Sequence, residues 1–142
     1  MSRVARKIDF LNGRIDVRKI PVVKAAAWLE IIVGATLVIA LDLASQMLFV
    51  AAPQGAGGPL GRIGGIALFA LGIACLRSAD VGPRGSAALG LLIFNAGAAI
   101  FLAWVAIGTA FCGVLLWPAV ILHAVIACAL LWVFFSGVPR ES

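Results

Sequence analysis

Scored only as apolar or polar, the chain shows four long apolar runs separated by short polar punctuation. The runs cover residues 22–50, 60–76, 86–108 and 112–135. Each is close to the roughly 20 residues that a helix needs to cross a ~30 Å hydrocarbon layer. The second is the shortest, and Arg62 near its start can snorkel toward an interface. Glycine, proline and charge fill the gaps: "AAPQGAGGPLG" after the first run, "RSADVGPRGS" after the second, and the uncharged "IGTAFCG" after the third. The pattern predicts four transmembrane helices.

Upstream of them, Val4, Ile8, Leu11 and Ile15 recur at spacings of four, three and four, which places them on one helical face. Gly13 weakens that helix and Pro21 ends it. Residues 1–21 thus read as a basic amphipathic segment on a membrane surface, residues 22–136 as the transmembrane domain, and 137–142 as a short tail. The first run is not expected to be a cleaved secretory signal. A signal's apolar core spans only ~7–15 residues, and here a basic leader of about twenty comes first.

Composition strengthens the pattern. Of 142 residues, 63% are hydrophobic and 12% charged, and the mean hydropathy is +1.15. Soluble domains stand nearer half apolar and a quarter charged. Too few charges are present to cover a water-facing surface of this size, so the excess apolar area is expected to face lipid. The expected fold is an all-α membrane protein, a four-transmembrane-helix bundle, with no room for a soluble catalytic domain. Cys75, Cys112 and Cys128 are isolated and form no C-x-x-C pair. They read as small apolar residues at helix contacts, not as a disulfide framework or metal site.

Charge adds an orientation. Seven of the eleven Lys and Arg residues fall within the first 24 positions: Arg3, Arg6, Lys7, Arg14, Arg18, Lys19 and Lys24. Arg77, Arg84 and Arg140 lie in segments that share their side if four helices cross, leaving only Arg62 opposite. The positive-inside rule then predicts a cytoplasmic N-terminus and C-terminus, in a bacterial cytoplasmic membrane. Trp28 and Trp132 at one level and Trp104 and Trp117 at the other form the expected aromatic belts. The leader's cations, Arg3 to Lys19, are assigned to anionic lipid. Nucleic acid is not expected, because no aromatic stacking residues interleave those cations.

Within lipid, helices associate through small residues and interhelical hydrogen bonds. Gly61, Gly65 and Gly72 line one face of the second helix, while Ala67, Ala70 and Ala74 line another, which predicts neighbours on both sides. Asn95, Ala99 and Ala103 recur at intervals of four, as do Ala119, His123 and Ala127. The single histidine, within "LLWPAVILHAVIACALLWVFF", is therefore expected to face inward near mid-depth and to hydrogen-bond Asn95. Pro118 is expected to bend its helix near His123. Glu30 lies six residues beyond Lys24, about 9 Å into its span. An intramembrane acid is a functional candidate by default. It is expected to be protonated or to meet a cation such as Lys24 or Arg77, and Asp42 to lie near enough to Arg62 to pair.

These features exclude more functions than they select. "AWLEIIVGAT" resembles the first helix of small multidrug-resistance transporters, and "IFNAGAAIF" with "AFCGV" resembles fluoride channels. The later motifs of both families are missing, so neither resemblance carries a residue's role to this chain. No catalytic constellation is present, so no enzyme is expected. No cofactor is expected either; lipid or quinone would fit such a bundle, and haem on His123 would lack a second axial ligand. The leading expectation is a non-catalytic accessory or assembly subunit of a larger membrane complex. The alternative is a homo-oligomeric transporter or channel using Glu30, Asn95 and His123 as a proton- or ion-responsive path. A lipid- or quinone-binding bundle stands third.

Overall fold

The computed structural model describes residues 20–78 and 86–135. The amphipathic leader with its membrane-surface cations, the 79–85 link and the tail from 136 lie outside the described residues. Within them the chain is all helical: α1 (Ile20–Ile39), α2 (Leu41–Phe49), α3 (Gly57–Ser78), α4 (Ser86–Gly108) and α5 (Leu116–Phe135). Four of these, all but α2, are long and apolar enough to cross a membrane. Their outer surface matches that length: Ile39, Ile100 and Ile107 are each more than 70% exposed. All four tryptophans also face outward.

Prolines sit where they do no harm to the helices. Pro21, Pro59 and Pro118 each fall in a first turn, where an N–H would lack an intrahelical partner anyway. This corrects one expectation. The fourth span starts at Leu116 and not at 112, so Pro118 opens α5 instead of bending it beside His123.

The first apolar run also departs from expectation, because it breaks at Ala40 (φ −128°, ψ 44°) into α1 and α2. Just before the break the Thr36 hydroxyl donates back to the Ile32 carbonyl at 2.8 Å, a bond that bends helices. Beyond it, Asp42, Ser45 and Gln46 interrupt the hydrocarbon sequence. Leu41 turns inward and is buried against Gly61, where an added Cβ would stand 2.8 Å from a Leu41 methyl. The helix then ends at Val50 in the left-handed region, its N–H donating to Gln46. Carbonyls at the end of a helix need outside partners. Those of Met47 and Leu48 accept from the N–H groups of Leu115 (3.0 Å) and Gly113 (2.8 Å). Gly113 is required here, since a side chain would collide with the Met47 carbonyl.

The long helices run up and down and pack most extensively as two pairs, α1 with α3 and α4 with α5. At the end holding the start of α1, all four meet in a core of Val23, Ala26, Ala27, Cys75, Ala88, Leu91 and Leu130. The Cys75 thiol, also here, donates to the Ala87 carbonyl at 3.1 Å and links α3 to α4. Cys112 and Cys128 are exposed, so only Cys75 acts as an interior packing residue.

The glycine face behaves as its spacing implies. Gly65 and Gly72 pack on α1, and Gly61 packs on Leu41 of α2. Ala67, Ala70 and Ala74 line no comparable contact among the described residues; all three are exposed. A single small-residue face suffices to bind α3 to α1. The charged pair expected at the α2 end is not formed either: among the described residues no ion pair joins Asp42 and Arg62, and both are exposed.

Candidate functional site

One turn beyond the core lies a polar cluster drawn from three helices. Glu30 enters from α1, Asn95 from α4 and His123 from α5. Glu30 and Asn95 have no exposed surface, and His123 has 8%. Glu30 and His123 stand where their helices present small residues inward: Ala26 and Ala27 precede Glu30 by a turn, and Ala127 follows His123 by a turn. Small neighbours let the backbones approach, so three short polar groups can meet.

Asn95 is the hub. Its Nδ2 donates to Glu30 Oε1 at 2.8 Å and to the Leu91 carbonyl, one turn back on α4, at 2.9 Å. Its Oδ1 lies 2.8 Å from His123 Nδ1. The Leu91 carbonyl can only accept, so it fixes which end of the amide is nitrogen. Oδ1 must then face the imidazole, and because an amide oxygen can only accept, Nδ1 carries the hydrogen. The wiring runs in one direction: His123 donates to Asn95, and Asn95 donates to Glu30.

That direction has a chemical consequence. Nδ1 is protonated in the imidazolium and in this tautomer of neutral imidazole, and Oε1 accepts in both the carboxylate and the acid. The hydrogen-bonded chain is therefore compatible with both protonation states at both ends. The atoms left to exchange a proton are His123 Nε2 and Glu30 Oε2. Oε2 is buried and has no hydrogen-bond partner among the described residues. As a carboxylate oxygen it lacks a donor; as a hydroxyl it lacks an acceptor. Buried polar atoms are usually satisfied, so an orphan of this kind calls for an explanation.

Phe94 closes one side. Its ring meets that of His123 edge to face, with centroids 5.9 Å apart and planes at 78°, a favourable aromatic geometry.

The spacing of small residues anticipated that Asn95 and His123 face inward and meet. It does not lead to Asn95 as the partner of Glu30, since a buried acid points first to a cation such as Lys24 or Arg77. Glu30 and Asn95 are 65 residues apart and sit on helices that barely touch. Phe94 carries no signal in the sequence beyond adjacency to Asn95. Ala119 falls on the same stripe as His123 and is half-buried.

Fold and cluster together define a class: a small all-helical bundle with four candidate membrane spans and a polar interior site. No family model matches the sequence, and neither the curated proteins nor the solved structures show a detectable relative. Function is therefore argued from the cluster itself.

Proposed function

We propose that this chain is an integral membrane protein with both termini in the cytoplasm, and that it takes up and releases protons at the Glu30–Asn95–His123 cluster as part of a small transporter or channel. One observation carries the reading. A buried carboxyl and an imidazole are joined through an amide whose orientation keeps every hydrogen bond while protons come and go at the two free atoms, Glu30 Oε2 and His123 Nε2. A cluster serving only to hold helices together needs no such free positions. Four short helices enclose little volume, so a homo-oligomer is part of the proposal.

The test is proton flux by the purified chain. In liposomes with a pH gradient and an internal pH dye, the wild-type protein should speed collapse of the gradient. Glu30→Gln keeps an oxygen for Asn95 to donate to and removes the titratable atom. It should leave the fold intact and abolish flux. Equal flux from wild type and Glu30→Gln would end the proposal.

A second reading, an accessory subunit within a larger complex, is favoured by the exposed Ala67, Ala70 and Ala74 stripe on α3. Small residues turned outward suit a further helix better than they suit lipid alone. Extraction in mild detergent at native expression should then bring down a partner, and Ala70→Trp should release it.

A further inference from the structure

On the α2 side of the core, between the helix pairs, lies an apolar crevice of about 610 Å³. Phe101 and Phe111 in its lining are more than half exposed, so the crevice opens to the outside there. On each long helix that contributes to it, the lining residue nearest the core end is Leu37 on α1, Leu68 on α3 and Phe94 on α4. None of the three polar cluster residues lines it. Phe94 belongs to both places. It walls the crevice, and its ring meets the His123 imidazole edge to face with centroids 5.9 Å apart. One side chain thus stands between an open apolar volume and a buried polar site.

The two ends of the cluster differ in how closed they are. Glu30 has no exposed surface and its Oε2 is sealed, whereas His123 keeps 8% of its surface. With Nδ1 committed to Asn95, Nε2 is the imidazole atom left to trade a proton. His123 is therefore the end from which the cluster is reached, and Phe94 is the ring set against it. Two χ1 wells are open to a long side chain on a helix, both leaning over the preceding turn. Gly90, four residues before Phe94, carries no side chain to obstruct a swing between them. We infer that Phe94 is a gate. In the observed rotamer it parts the crevice from His123, and in the other it joins them, opening a route from the α2 side to Nε2. The gate deepens the proton reading, on which its purpose rests, by giving the site one side from which it opens.

His123 is the single histidine of the chain, so its access can be read chemically. Diethylpyrocarbonate is a small neutral electrophile. The Nε2 lone pair attacks its carbonyl, ethyl carbonate leaves, and the ring keeps a carbethoxy group. The purified full chain in phosphatidylcholine nanodiscs would be treated at neutral pH, with modification of His123 followed by peptide mass spectrometry. Wild type should label slowly. Phe94→Ala should label about tenfold faster or more, because a minor open state is populated at most ~10% of the time. Phe94→Leu, which loses less packing, should label at an intermediate rate, and it carries the test if the alanine variant fails to fold. Phe101→Ala should match wild type, since that ring lines the crevice but pairs with Trp104. Gly64→Leu added to Phe94→Ala should restore the wild-type rate. A Cβ at Gly64 meets nothing within 4 Å, so the leucine fills the crevice without disturbing the helices. Labelling needs no proton flux, so this outcome and that of Glu30→Gln in liposomes stand or fall separately. Wild-type rates in both Phe94 variants, or fast labelling that persists with Gly64→Leu, would overturn the gate.

Discussion

Along α1 and α3, backbone lies on backbone. A Cβ at Gly34 would stand 2.6 Å from the Gly65 carbonyl oxygen, and one at Gly72 would stand 2.6 Å from that of Ala27. Along α4 and α5 nothing of the kind occurs. A Cβ at Gly97 meets no atom within 4 Å, and the two helices touch through Leu91, Leu130, Asn95 and His123. The first pair is joined by shape, the second by side chains with a hydrogen bond among them. In hydrocarbon both solutions work, since apolar burial alone gives helices little reason to associate. They differ in what they leave free. A contact between backbones can do nothing except hold, whereas side chains that hold can also exchange protons, and the cluster bridging the two pairs belongs to the second kind.

The largest effect that would break this comparison falls on the glycine pair. Gly65→Val drives methyl groups into the Gly34 carbonyl and Leu37 Cβ, each only 2.8 Å from the first added carbon. Overpacking a core costs about 1–3 kcal/mol where side chains can shift. Here a main-chain atom stands in the way, so the loss should be about 3 kcal/mol or more. Unfolding in micelles of rising dodecyl-sulfate fraction would read it as a collapse of the transition midpoint. A midpoint unchanged from wild type would mean that α1 and α3 do not meet at this face.

Next in size is the hub of the polar cluster. Asn95→Leu leaves Glu30 and His123 both buried and both without the amide. Each stranded polar group costs about 1–3 kcal/mol, so the variant should be destabilised by about 2–4 kcal/mol. Replacing all three residues by leucine removes the polar atoms together and should recover most of that stability, since apolar replacement of a buried polar set is often close to neutral. The triple variant separates holding from acting: it should fold, and it should carry no protons. A triple variant that remained as unstable as Asn95→Leu would show that the site's packing, and not its polar balance, sets the cost.

How far the sequence foretold all this depends on whether the feature was local. The four long helices follow from apolar run length, which needs no knowledge of neighbours. The inward turn of Asn95 and His123 follows from small residues one turn away on the same helix. The Glu30–Asn95 bond was hidden because it joins helices far apart in the chain, and a carboxylate seeking a partner suggests a cation before an amide. The break at Ala40 was hidden because Leu41–Phe49 is apolar enough to prolong a span on paper. Its separation depends on Gly61 receiving Leu41 and on the Gly113 and Leu115 N–H groups receiving the carbonyls of α2. The exposed Ala67, Ala70 and Ala74 show the limit of such reading: small residues permit a contact, and only a partner's position decides whether one is made.

The smallest effect gives the sharpest check of that last point. Gly97 lies on the exposed side of α4, in open space, two residues beyond Asn95 and so on the opposite face of the helix. If glycine here serves no close approach, Gly97→Ala should only remove backbone freedom and improve the helix, by at most about 1 kcal/mol. The same substitution at Gly34 or Gly65 should be destabilising, because the single added carbon meets main-chain atoms. Measured side by side in one micelle system, the three alanine variants should therefore differ in sign, with Gly97 above wild type and the other two below. A loss at Gly97 would mean that another surface covers this face of α4, either a second copy of the chain or a different partner. Helix propensity cannot produce a penalty for replacing glycine by alanine at an unobstructed position, so the sign alone decides.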